Sequence, residues 1–82
     1  MKGIVMAGID KIYGTPDNWD ELHGFLFTHN QDALKYLNPK SDSGEQDIII
    51  AVFPEAVDMW LLENCKLDWV IDRIKYQYDI DQ

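Results

Sequence analysis

Residues 47–53, DIIIAVF, run without a break in apolar and mostly β-branched side chains, and Pro54 follows at once. A continuous run of this kind, too short for a helix and bounded by turn formers, specifies a buried strand. Proline has a fixed φ and no N–H, so it suits the first position of a helix and cannot extend a central strand. The strand must therefore pass directly into helix. Residues 54–78, PEAVDMWLLENCKLDWVIDRIKYQY, must then supply much of its cover. That order points to α+β.

At about 100° per residue the segment resolves into a helix over 54–64, a break at Asn64 or Cys65, and a helix over 67–78. In the first, Val57, Trp60 and Leu61 share a face, with Trp60 expected in the core. In the second, Leu67, Val70, Ile71, Ile74 and Tyr78 form the core stripe. Upstream, KGIVMAGIDKIY reads as one strand near residues 3–8 and an extended piece near 10–13. In GTPDNWDEL, Thr15 is a good N-cap, Pro16 fits the first helical turn, and Asp17 and Asp20 suit the positive end of the dipole. Trp19, Leu22 and Leu26 then share one arc of a helix over 16–27. DALKYL gives a shorter helical turn over 31–37 that buries Leu34 and Leu37, and PKSDSGEQ is a loop. The expected fold is α+β: a two- or three-stranded sheet (3–13 and 47–53) under helices at 16–27, 31–37, 54–64 and 67–78. All 82 residues are expected in one domain.

A composition 46% hydrophobic and 12% aromatic excludes a disordered chain. Net charge is −8, and ten of the 15 carboxylates but only three of the seven cations lie in residues 41–82. Nucleic-acid affinity comes largely from Lys and Arg displacing counterions, so this field argues against direct DNA or RNA binding. It favours a basic partner. The single cysteine cannot close an intramolecular disulfide, and no zinc spacing accompanies it. The start, MKGIVMAGIDKIYG, has a short apolar run stopped by Asp10. No membrane span and no cleavage site are read there, and the cytoplasm is the expected location.

Candidate chemistry is sparse. His23 and His29 are six apart, whereas a zinc pair on a helix is i, i+4, and no metal or other cofactor is expected. His23 is read as a partly buried structural histidine and Cys65 as packing. The carboxylate pairs Glu55/Asp58 and Asp68/Asp72 are read as helix termini and solvated faces, and no catalytic residue is assigned. No GxGxxG or GxxxxGK[ST] occurs.

What remains is a second apolar face on each C-terminal helix. Met59 and Leu62 lie away from the core face of the first, and Trp69 and Tyr76, seven apart, lie opposite the core stripe of the second, beside Asp72. In one reading these residues are sandwiched between neighbouring elements of a small core. In the other, Met59, Leu62, Trp69, Asp72 and Tyr76 form a surface for a protein partner or a second copy of the chain, with Asp68 on the rim. The second reading makes the protein a non-enzymatic interaction or self-associating module. Its alternative is an acidic inhibitor imitating the phosphates of DNA toward a nucleic-acid-binding protein, and a small enzyme or ligand-binding domain comes third. In size and acidity the chain resembles the small accessory proteins of phages and mobile elements, a likeness of type with no motif behind it.

Overall fold

The structure, a computed structural model, describes residues 9–40 and 48–80, so the strand expected near residues 3–8 and most of the PKSDSGEQ loop lie outside it. The element order is β1 (Ile9–Gly14), α1 (Pro16–His29), a 3₁₀ helix (Gln31–Tyr36), β2 (Ile48–Pro54), α2 (Glu55–Asn64) and α3 (Asp68–Gln77). Among the described residues the sheet has two strands, β1 and β2, paired antiparallel. The fold is α+β.

Local chemistry sets these boundaries. The Asn18 N–H donates to Thr15 Oγ1 at 3.2 Å and Pro16 occupies the first turn of α1. This satisfies one of the donors that a helix start leaves free. α1 runs two residues past the expected end, and over that last turn the Thr28 and His29 side chains bond to the Gly24 and Phe25 carbonyls, at 3.0 Å each. β2 hands over to α2 at Pro54, whose φ of −71° is ordinary for proline. α3 closes with Asp79 at φ 58°, the Asp79 N–H donating to Tyr76 O and the Ile80 N–H to Lys75 O. That is a Schellman closure with an aspartate in the left-handed position usually taken by glycine.

The register of the sheet slips between Ile12 and Tyr13, which face Ala51 and Ile49 and leave Ile50 as the extra residue of a bulge. Gly14 makes room for it. A Cβ on Gly14 would lie 2.7 Å from Ile50 Cγ1 and 3.2 Å from Asn18 Cβ. Gly14→Ala is therefore expected to cost about 1–3 kcal/mol by overpacking, read as a lower urea midpoint. An unchanged midpoint would mean that Ile50 moves aside freely.

Both outer edges of the sheet are occupied by amide side chains. On β2, Asn38 donates from its backbone to Ile50 O (2.8 Å) and from Nδ2 to Ile49 O (2.6 Å), beside a single bridge of Leu37 to Ala51. On β1, the Gln77 amide accepts from the Lys11 N–H and donates to the Lys11 carbonyl, as a peptide group of a further strand would. Open strand edges invite pairing with other chains, and here each has a local occupant.

Among the described residues the core consists of Ile12, Leu22, Leu26, Ala33, Ile50, Ala51, Phe53, Leu61, Val70 and Ile74, contributed by every element. Three expectations are corrected. Ala33 rather than Leu34 or Leu37 is the fully buried residue of the 3₁₀ helix, whose tighter turn rotates its inner face. Leu61 rather than Trp60 is the innermost apolar side chain of α2. Trp60 packs on the rim of the core against the Phe25 ring, with centroids 5.8 Å apart. Asp58, expected on a solvated face, is 0% exposed. The Tyr78 hydroxyl, at the end of α3, donates to Asp58 Oδ2 at 2.8 Å, which makes a buried carboxylate tolerable and ties α3 to α2.

Candidate interaction surface

The five residues singled out in the sequence do not share one environment. On α3, Asp72 is exposed and Tyr76 is 75% exposed, the most open large apolar side chain among the described residues. Trp69, one turn before Asp72, is half-buried and packs on the core, and its indole N–H donates to Glu21 Oε1 of α1 at 2.9 Å. Trp69 thus bridges α3 to α1 while keeping part of its ring in solvent. On α2, Met59 and Leu62 are half-buried, and Leu62 packs on the core cluster.

Tyr76 does not stand alone. The Arg73 guanidinium lies 5.5 Å from the centre of the Tyr76 ring and 5.9 Å from that of Tyr13 on β1. Tyr13 is itself 39% exposed. Tyr76 is three residues from Arg73 and four from Asp72, so it neighbours both on the helix surface. Tyr13 joins them because β1 runs alongside α3, held there by the Gln77 amide at Lys11. Lys11 is exposed one step along the same face of β1, since alternate residues of a strand share a face. Tyr13, Arg73 and Lys11 carried no signal in sequence, because the contacts that unite them join opposite ends of the chain.

A second aromatic row lies on α1. Trp19, His23 and Phe27 stack in sequence, with centroids 4.8 and 6.2 Å apart, and His29 stacks on Phe25 at 4.4 Å. The i, i+4, i+8 spacing of three flat rings was visible in the sequence. His23 is half-buried in this stack, and Phe27 is 55% exposed at its end. The Trp19 indole donates to the Asn38 carbonyl at 2.5 Å, and Lys40, 6.0 Å from the Trp19 ring centre, also pairs with Asp20. Trp19 therefore packs α1 against the 37–40 segment.

Among the described residues no three His, Cys, Asp or Glu side chains are arranged to hold a metal ion. Cys65 caps α2 and is half-buried, and burial raises its thiol pKa against the smaller opposing effect of the Leu67 and Lys66 backbone N–H groups. A raised pKa leaves less thiolate, the reactive form. Of the described carboxylates of the acidic second half, Glu55, Glu63, Asp68, Asp72 and Asp79 are exposed and Asp58 is not. No helix among the described residues is long and apolar enough to cross a membrane. No family model, curated protein or solved structure matches the chain.

Proposed function

We propose that this protein is a non-enzymatic cytoplasmic interaction module, working through protein–protein contact that includes self-association. The contact face is the outward side of α3, with Tyr76 and Asp72 at its centre, Trp69 beside them, and Met59 and Leu62 of α2 completing it. The observation that carries this reading is the 75% exposure of Tyr76 beside the Arg73 guanidinium. A domain this small has few apolar groups to spare from its core, and tyrosine and arginine are both among the residues enriched at interface hot spots.

A photocrosslinking side chain placed at Tyr76 in the native cell tests the reading, with Asp17 at the start of α1 as the control position. Crosslinks to polypeptide from position 76 and few from position 17 are expected. Equal crosslinking from both, or none from position 76, contradicts the assignment. Ionic strength separates this face from the imitation of nucleic acid. Binding of a basic partner by carboxylates falls steeply with added salt, whereas a contact centred on tyrosine and tryptophan changes little.

A further inference from the structure

Arg73 and Asp72 are adjacent on α3, opposite in charge, and each lacks an ion-pair partner among the described residues. The guanidinium lies beside two tyrosine rings, with none of its N–H groups bonded to an acceptor there. A planar cation steadied against aromatic rings, with its donors unused, is suited to a carboxylate arriving from outside. The chain also limits where such a carboxylate can come from. At a net charge of −8, two copies repel each other over most of their surface. On the β1–α3 face, Lys11 and Arg73 set against Asp72 offset that repulsion locally.

We infer that the outward face of α3 is the interface of a two-fold symmetric homodimer, in which Arg73 of each copy pairs with Asp72 of the other. This rests on the contact face proposed above and adds its occupant and register. A two-fold axis crossing α3 between residues 72 and 73 sets the two helices antiparallel, and every residue then meets the one whose number brings the pair's sum to that of Asp72 and Arg73. Tyr76 of one copy accordingly faces Trp69 of the other. Positions 69, 72, 73 and 76 follow the i, i+3, i+4, i+7 spacing of a single helix face, so one register satisfies both the charge pairs and the aromatic pairs. Isologous contact needs a self-complementary patch, and adjacent opposite charges flanked by two aromatic anchors form one.

Charge reversal in two separate variants tests the dimer. Arg73→Asp sets two aspartates against two aspartates across the axis, and Asp72→Arg sets two arginines against two arginines. Each variant is expected to self-associate about tenfold or more weakly than the parent by sedimentation equilibrium, at unchanged circular dichroism. Mixed in equal amounts, they restore both pairs, and a heterodimer of near-parental affinity is expected. A parent protein that stays monomeric at every concentration overturns the dimer, and single variants that associate as the parent does, or a mixture no tighter than its components, overturn the pairing of Arg73 with Asp72. Tyr76→Ser separates this result from failure of the contact face. If that variant dissociates the parent dimer while the charge variants do nothing, the face stands and the register falls. If it too does nothing, the face itself is wrong.

Discussion

Phe53→Ala is expected to cost the protein a large share of its stability. Phe53 is the largest of the fully buried side chains and sits on β2 beneath the Tyr36 ring, at an edge-on centroid distance of 6.3 Å. Truncation removes that ring from a site enclosed by the sheet and helices, and the cavity cannot close without moving the strand. The expected loss is about 3–5 kcal/mol, against a total of about 5–15 kcal/mol for a typical domain. Trp60→Ala is the informative comparison, because the run of apolar residues in α2 places Trp60 in the core whereas the structure places it on the rim. Its expected cost is about 1–3 kcal/mol, with a folded protein remaining. Urea unfolding followed by circular dichroism measures both. Equal losses would mean that Trp60 is as central as Phe53.

The second large effect belongs to Asp58 and Tyr78. Asp58→Ala removes a fully buried carboxylate that accepts from the Tyr78 hydroxyl, and Tyr78→Phe removes that donor. Each is expected to destabilise the protein by about 1–3 kcal/mol, since a hydrogen bond to a buried carboxylate is lost and the carboxylate was desolvated in part on its strength. The double variant should cost less than the sum of the two, with a coupling of about 0.5–3 kcal/mol. Strict additivity in the same unfolding assay would show that the hydrogen bond between α2 and α3 contributes nothing.

Local signals located the elements well. Thr15 with Pro16 marked the start of α1, and Pro54 marked the passage from β2 to α2, because caps and proline act on their own neighbours. Val70 and Ile74 are buried as the α3 stripe required. What sequence did not reveal depends on partners distant in the chain. Asp58 reads as a solvated acid until Tyr78 is brought to it by the packing of α3. Trp60 outranks Leu61 in size, yet the rotation of α2 that buries Asp58 puts Leu61 inward and Trp60 at the edge. Gln77 reads as one more polar residue near a helix end, and only the fold sets its amide against Lys11. The same holds for the candidate surface. Tyr76 and Asp72 were legible from helical spacing as outward residues, and Trp69 as lying opposite the stripe. The Glu21 carboxylate that holds the Trp69 indole comes from α1, and the Tyr13 ring beside Arg73 comes from β1.

Sedimentation equilibrium on the unmodified protein over a wide concentration range, at low and at high salt, tests the account most directly. The mass is predicted to rise reversibly from monomer to dimer, with a modest response to salt, and to stay at monomer for Tyr76→Ser. A monomer mass at every concentration and salt would contradict the self-association of this surface.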